Sequence, residues 1–194
     1  MMEDDALMQR VAAGDREAFG VLVERHKDPL VAYLTRLCGS PPQADDLAQE
    51  AFLRLFEAAG RYREQGHLKA FLYRIATNLL RTEQRREARR RLLLTAFPLA
   101  ALPLAEGRQI QEEVLATEAQ RQVASAVAEL PLRYRVPLVL AEVEGWNYAD
   151  IAALLQCRPG TVKSRIHRGK QRLKERLAPY WHGALAPRTE GSSP

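Results

Sequence analysis

Apolar residues recur at helical spacing along almost the whole chain. In the stretch 17–37 they stand mostly three or four residues apart, which is the repeat of one buried helical face. The same repeat marks 43–58 and the first half of 68–93, whose second half is charged. Pro29 lies inside the first stretch and should interrupt it, because proline cannot donate a helical hydrogen bond. The pattern predicts an all-α protein.

Three segments break this periodicity. Residues 39–42, with the sequence GSPP, end the first helix, and residues 60–67 form a polar loop. Residues 95–110 hold two prolines and a glycine, and their apolar residues have no continuous period. This last stretch is typical of an inter-domain linker, although it is more apolar than a free linker should be.

The C-terminal half is predicted to hold four helices, at 112–129, 131–144, 148–155 and 159–177. Pro137 should bend the second of them. Asn147 is a good N-cap for the third, with Asp150 in the capping-box position. A short helix, a tight turn and a longer helix make a helix-turn-helix, whose second helix enters the major groove of DNA.

These elements predict two small helical domains joined by a flexible linker. The expected division is a first domain at 1–94, a linker at 95–111 and a helix-turn-helix domain at 112–178. The tail at 179–194 holds three prolines and two glycines and is expected to be disordered.

Composition argues against several classes of protein. No run approaches the roughly 18 apolar residues of a membrane helix, and the acidic N-terminus has no apolar stretch of signal-peptide type. We therefore expect a cytoplasmic protein. Cys38 and Cys157 stand far apart, and the histidines are scattered, so no metal or cofactor is expected. Both thiols should be buried and reduced, with a regulatory disulfide as the alternative.

Charge is arranged in alternating blocks. The net charge, counting Lys and Arg as positive and Asp and Glu as negative, is −5 for residues 1–60, +7 for 61–91, −4 for 92–157 and +7 for 158–194. Basic stripes of this density are what contact with phosphates requires. The two basic blocks predict two DNA contacts, or DNA at one block and another polyanion at the other.

The second helix of the predicted helix-turn-helix has the composition of a DNA-reading helix. Between Arg158 and Arg176 stand eight Lys or Arg and one acid, whereas a merely solvated helix would interleave acids. Val162, Ile166 and Leu173 lie on the opposite side and can pack inward. A solvated face, or a surface for acidic partners, is the alternative interpretation.

Two long blocks resemble one known family. SPPQADDLAQEAFLRLFEAAGRYREQGHLKAFLYRIATNLLRTEQRRE resembles region 2 of bacterial sigma factors of the extracytoplasmic-function (ECF) group, and LPLRYRVPLVLAEVEGWNYADIAALLQCRPGTVKSRIHRGKQRLKERL resembles their region 4. The resemblance spans about 15–177, in order. It implies a sigma factor, a subunit without catalysis of its own that directs core RNA polymerase to promoters.

In this family the helix matching 43–58 grips the clamp coiled coil of the largest polymerase subunit. Carboxylates and amides suit that role because they can pair with arginines along a partner helix. An ordinary acidic helix face is the alternative. The residues matching the core-binding positions are Asp45, Asp46, Gln49, Glu50 and Leu53.

The loop and helix that follow match the part that captures the −10 promoter element as DNA opens. Asn78 matches the position associated with an extruded base, since an amide can address a Watson–Crick edge after unstacking. A polar residue bonding locally is the alternative for Asn78. The arginines would track the DNA backbone. The expected −10 residues are Tyr62, Arg63, His67, Arg74, Asn78, Arg81, Arg85 and Arg86.

In region 4 the resemblance implies contact with the −35 element, through Arg158, Thr161, Lys163, Ser164, Arg165, His167 and Arg168. It also implies that this domain docks on the flap of the second-largest subunit and that an anti-sigma factor restrains the protein. Gln156 stands where the family usually has glycine, so it must adopt an unfavourable backbone conformation.

Two other functions were weighed. A stand-alone helix-turn-helix regulator accounts for the C-terminal half equally well, but it leaves the basic block at 61–91 unexplained. A small nuclease would need clustered carboxylates or histidines beside a basic face. Asp45 and Asp46 lie instead in an acidic helix, so no enzyme activity is expected.

Overall fold

The computed structural model describes residues 3–63, 66–96 and 118–184, and every regular element in these ranges is helical. The all-α prediction is confirmed. The helices are α1 (Asp4–Ala12), α2 (Arg16–Cys38), α3 (Pro41–Ala58), α4 (Leu68–Ala96), α5 (Glu118–Ala128), α6 (Leu132–Glu142), α7 (Tyr148–Leu155) and α8 (Pro159–Ala184), with one 3-10 turn at Ala59–Arg61.

Helix α1 was not predicted from the sequence. Its apolar edge is narrow, consisting of Leu7, Met8 and Val11, all buried against α2. The Oδ2 atom of Asp4 lies 2.8 Å from Nε2 of His26, so α1 is also held by a polar contact to α2. A nine-residue helix depends on such tertiary contacts because it is too short to be stable alone.

The prediction that Pro29 interrupts the first helix is wrong, since α2 runs through it. Pro29 is exposed, while Leu30, Leu34 and Leu37 on the inner side are fully buried. Burying each leucine is worth about 1.5–3 kcal/mol, which offsets the hydrogen bond that the proline cannot make. The helix continues because the buried residues on its inner side stabilise it by more than the one missing hydrogen bond at Pro29 costs.

The N-terminal domain packs α1, α2, α3 and α4 around one core. Tyr33 and Thr77 are completely buried, and their hydroxyls lie 2.8 Å apart. Burial raises the pKa of Tyr33 well above its ordinary value, so this phenol stays neutral. Helix α3 begins at Pro41, two residues before the predicted start, because prolines fit the first turn of a helix.

The helix-turn-helix prediction is confirmed in α7 and α8. Asn147 Oδ1 accepts a hydrogen bond of 2.9 Å from the Asp150 amide, as the capping pattern indicated. Val162 and Ile166 of α8 are buried together with Ile151 of α7. Gln156 adopts the predicted unfavourable conformation, with φ 52° and ψ 49°, in the left-handed region.

Two predicted boundaries need correction or fall outside the described residues. Helix α8 continues to Ala184, so the prediction of a disordered tail at 179–194 is wrong for its first six residues. Half-buried Leu173 and Leu177 extend the packed side of the helix beyond the basic face. Helix α4 ends at Ala96, and most of the predicted linker at 95–111, like the predicted helix start at 112, lies outside the described residues.

The two domains pack against each other. Arg135 of α6 is only 4% exposed, and its guanidinium donates to the backbone oxygens of Leu130 in its own domain and Leu37 in the other. The rings of Tyr73 on α4 and Trp146 before α7 lie 5.3 Å apart. Among the described residues, no helix is long and apolar enough to cross a membrane.

Candidate nucleic-acid interface

Helix α8 presents most of the predicted −35 residues to solvent. The α7–α8 turn fixes the start of α8, so its first three turns project from the domain while Val162 and Ile166 anchor the opposite side. Thr161 and Arg165 are half-buried at the edge of this surface. The predicted residues that are exposed are Arg158, Lys163, Ser164, His167 and Arg168.

Helix α4 carries a second basic surface, on the first domain. Arg74, Asn78, Arg81 and Arg85 are spaced three or four residues apart and therefore follow one face. Asn78 is exposed, and its Oδ1 accepts a 3.5 Å hydrogen bond from Arg81. That contact is at the limit of hydrogen-bond length, so it restrains the amide only weakly.

The loop before α4 is held in place by α1. The Tyr62 hydroxyl donates to Oδ1 of Asp5 at 2.9 Å, and the Gly66 amide donates to the other oxygen of the same carboxylate. The Tyr62 ring packs against Phe71 with centroids 5.5 Å apart. The predicted −10 residue Tyr62 is therefore half-buried and partly structural, with a role for Asp5 that the sequence did not indicate.

The remaining −10 residues are exposed or partly so. Arg63 donates a 2.8 Å hydrogen bond to the Tyr62 carbonyl, and the Arg74 guanidinium lies 5.1 Å from the Phe71 ring centroid. The other predicted residues that are exposed are His67, Arg85 and Arg86.

The two basic surfaces lie next to each other in this arrangement of the domains. Partial burial lowers the pKa of Arg81, and the positive charges of Arg165 on α8 and Arg85 act in the same direction. Arg81 and Arg165 are therefore close enough for their charges to interact. The sequence could not indicate this contact because it depends on how the domains pack.

The predicted polymerase-binding residues share the outer side of α3. Leu53 at its centre is 59% exposed, and Phe56 one turn later is 41% exposed. Glu50 accepts a 2.8 Å hydrogen bond from Arg54 of the same helix. Asp46 and Gln49 are exposed and Asp45 is half-buried. A large exposed leucine among carboxylates and an amide is typical of a partner surface.

An apolar groove of about 680 Å³ runs between α5, α6 and α8 and is closed on one side by the first domain. Its apolar lining in the second domain includes Val123, Val139, Val143 and Leu173. Val123 and Val143 are each about half exposed, at 45% and 52%. The groove is therefore a second candidate partner surface.

Sequence reasoning missed the basic residues next to the recognition helix. Arg133 on α6 lies over the ring of Tyr134, as does Arg172 on α8. Arg133 stands in a predicted acidic block, so its proximity to α8 is visible only in three dimensions. Arg172 follows Arg168 by four residues and could have been predicted from helical spacing.

Neither cysteine forms a disulfide. The prediction of a buried, reduced thiol is confirmed for Cys38, whereas Cys157 is only half-buried because it lies in the surface turn between α7 and α8. Within the described residues, no group of histidines, cysteines and carboxylates is placed to hold a metal ion.

Two family models match the chain. The model described as sigma-70 region 2 matches residues 22–90, which hold α3 and most of α4. The model described as sigma-70 region 4 matches residues 120–173, which hold α6, α7 and the recognition part of α8.

Characterised proteins match over nearly the full chain. The RNA polymerase sigma-H factor of Pseudomonas aeruginosa is 31% identical over 188 residues, covering 91% of this chain and 95% of the relative. The ECF RNA polymerase sigma-E factor of Haemophilus influenzae is 30% identical, covering 92% of this chain and 97% of the relative.

Solved structures agree with the fold. CnrH in complex with the cytosolic domain of CnrY is 25% identical with a TM-score of 0.66, covering 91% of this chain and 97% of that one. The sigma factor RpoE of Bartonella quintana, solved with the anti-sigma factor NepR, is 24% identical with a TM-score of 0.65, covering 82% and 96%.

Proposed function

The chain belongs to the ECF group of RNA polymerase sigma factors, and we propose that it directs core polymerase to promoters through four surfaces. It acts as an initiation factor rather than an enzyme. The observation that carries the proposal is the second basic face, on α4, which stands in the same chain as a helix-turn-helix. A stand-alone regulator would have no use for that face.

The first surface is the outer side of α3, which we assign to the clamp coiled coil of the largest subunit. Its exposed Leu53 supplies apolar area, and Asp46 and Gln49 supply groups that can pair with a basic helix. The combination fits the usual anatomy of an interface, in which an apolar centre is rimmed by polar groups.

The second surface is the α4 face with the loop before it, which we assign to melted −10 DNA. Arg74, Arg81 and Arg85 can follow a phosphate backbone along the helix. Asn78 is exposed between them and can bond the edge of a base that has left the stack. The Asp5 contacts to Tyr62 and Gly66 tie residues beside this face to α1.

The third surface is the exposed start of α8, which we assign to the −35 element in duplex form. Arg158, Lys163 and Arg168 have the reach and donor geometry for guanine edges and phosphates.

Residues 1–94, 95–111 and 112–178 remain our proposed division into first domain, linker and second domain.

The apolar groove between α5, α6 and α8 is the surface that we assign to the flap of the second-largest subunit. Its lining is almost purely apolar, so an apolar partner segment is the fitting occupant. The first domain forms part of its rim, through Thr35 and Pro41, so docking of the flap and separation of the domains are expected together.

We also propose that an anti-sigma factor restrains the protein. Both solved relatives named above were determined with a partner, one of them an anti-sigma factor. The exposed leucine on α3 and the apolar groove are separate surfaces that such a partner could cover.

The α3 assignment is tested by measuring binding of the purified protein to core polymerase by fluorescence anisotropy. Leu53→Glu should weaken binding at least tenfold without changing the thermal stability, because the side chain is already exposed. Val21→Glu is the matched control, since Val21 is an exposed apolar residue on α2. Equal effects of the two substitutions would contradict the assignment.

A further inference from the structure

Three arginines surround the ring of Tyr134 at the start of α6. Tyr134 is 6% exposed, and the guanidinium carbons of Arg133 and Arg172 lie 4.7 Å and 5.3 Å from its ring centroid. Desolvation would raise the pKa of the phenol, but the cationic side chains of Arg168 and Arg133 outweigh it and hold the pKa of Tyr134 below its ordinary value. One phenol therefore gathers three positive charges from two helices.

Arg133, Arg168 and Arg172 differ in their pairing from other cations of the second domain. Within the part of the chain that the structure describes, no carboxylate forms an ion pair with Arg133, Arg168 or Arg172. Other cations of α8 are paired, Lys170 with Glu142 of α6 and Arg176 with Glu129. Among the described residues, the three arginines therefore leave an excess of positive charge around Tyr134.

Like charges held close together repel and destabilise the folded protein unless an anion lies between them. The phenol supplies only partial relief, through its ring face and its oxygen. It also orders the guanidinium groups, because stacking and hydrogen bonds restrict their orientations. Ordered arginines lose less conformational entropy when they bind a bidentate anion such as a phosphate.

The cluster continues the recognition surface. Arg165, Arg168 and Arg172 lie at spacings of three and four residues and so follow one face of α8. Four residues advance a helix by about 6 Å, which places Arg172 one turn beyond the end of the predicted −35 surface. Arg133 brings a further guanidinium from α6 to the same place.

We propose that Arg133 and Arg172, ordered by Tyr134, clamp the phosphate backbone of duplex DNA beside the −35 element. The inference rests on the proposed function, because Arg168 belongs to the −35 surface. The clamp adds affinity that does not depend on sequence, since phosphates carry no sequence information directly. An acidic protein surface is less fitting, because the cluster is continuous with the face that reads DNA.

The test measures binding of the holoenzyme to a promoter duplex over a range of salt concentrations. Each phosphate contact contributes about 0.9 to the slope of log Kobs against log salt. Arg133→Ala and Arg172→Ala should each reduce the slope by about 0.9, and the double variant by about 1.8. The ratio of promoter to non-promoter affinity should stay unchanged.

Two controls separate the clamp from general effects of charge and folding. Lys174→Ala removes one charge from α8 at about 200° around the helix from Arg172, and it should leave the slope unchanged. Arg172→Lys keeps the charge and should retain most of the slope, although it loses bidentate contact. If Arg172→Lys lowers the slope as much as Arg172→Ala does, loss of the charge is not the cause. That result would point to misfolding and overturn the inference.

The outcomes distinguish the clamp from the function on which it rests. A wild-type holoenzyme that does not bind the promoter would overturn the proposed function, and the clamp with it. If the holoenzyme binds the promoter but Arg133→Ala and Arg172→Ala give the same slope as Lys174→Ala, the clamp alone is overturned. Loss of affinity for core polymerase with an unchanged slope would also overturn it, and would assign the cluster to an acidic protein surface.

Discussion

Exposure at single positions separates residues that hold the fold from residues left for partners. Leu53 and Asn78 are exposed and contribute little to either core, whereas Tyr62 is half-buried and bonded to Asp5 across the domain. Substitution of Tyr62 would therefore mix structural and functional effects. Asn78 offers a cleaner test, because it is exposed and its side-chain oxygen accepts a long hydrogen bond from Arg81.

At the residue scale we expect Asn78→Ala to leave core binding intact and to slow promoter opening at least tenfold. The amide is needed only when a base has left the stack, so binding to polymerase should not depend on it. Permanganate reactivity of unpaired thymines measures opening, and anisotropy measures core binding. Gln9→Ala, which removes an exposed side-chain amide on α1, is the control. Equal loss of core binding would mean that Asn78 is structural.

Some residue features were predictable from sequence and others were not. The strained backbone of Gln156 was predictable because the family that the chain resembles usually has glycine at this position, where a left-handed conformation ends the helix. The partial burial of Arg81 and the clustering around Tyr134 depend on contacts between distant segments. Local pattern carries no information on those contacts.

At the element scale, capping decides how firmly the helix-turn-helix is set. Asn147 and Asp150 bond each other reciprocally, through the Asp150 amide at 2.9 Å and the Asn147 side-chain amide at 2.7 Å. This cap fixes the start of α7, and α7 packs against α8. The position of the recognition helix therefore depends on a cap that the sequence reveals.

Asn147→Ala should destabilise the protein by about 1 kcal/mol, because the first-turn amide loses its acceptor. For a chain of this size, that corresponds to a fall in melting temperature of about 2–4 °C. Gln171→Ala, at an exposed position on α8, should change stability by less than about 0.5 kcal/mol. Thermal unfolding followed by circular dichroism measures both. Equal melting temperatures for the two variants would argue against the role of the cap.

Two element errors have the same physical origin. Helix α1 forms although its pattern is weak, and α2 continues through Pro29, because burial against other helices supplies the stability that local preference lacks. The strongly periodic helices, such as α3 and α7, were placed within two residues of their true bounds. Periodicity predicts a helix well when the helix has a wide apolar face. It predicts poorly when packing against other helices compensates for a weak pattern, as in α1, or for a proline, as in α2.

At the scale of the whole molecule, the packed arrangement brings the two basic surfaces together. Trp146 stacks on Tyr73, and Nζ of Lys69 lies 5.4 Å from the Tyr73 ring centroid and 5.7 Å from that of Trp146. Glu144 accepts a hydrogen bond of 3.3 Å from the Tyr73 hydroxyl. Burial and this carboxylate raise the pKa of Tyr73, so the contact keeps a neutral phenol. Under the proposed function the two basic surfaces contact separate promoter elements, so we expect the domains to part when the protein binds a promoter.

Trp146→Ala should shift the free protein towards the separated arrangement. Trp146 is half-buried and its ring packs on Tyr73 of the first domain, so its loss removes one of the apolar contacts between the domains. Small-angle scattering should then give a larger radius of gyration than that of the wild type. Tyr180→Ala, at an exposed position near the end of α8, should leave the radius unchanged. An unchanged radius for Trp146→Ala would contradict the proposed importance of this contact.

The most direct test is transcription by core polymerase from a randomised promoter library, with and without the protein. The account predicts initiation at selected sequences with two conserved elements, only when the protein is present. Lengthening the spacer between them by about 5 bp, half a turn of duplex, should abolish the transcript because the two surfaces can no longer face their elements together. Tight binding to duplex DNA by the protein alone, without joining core polymerase or starting transcription, would contradict the account.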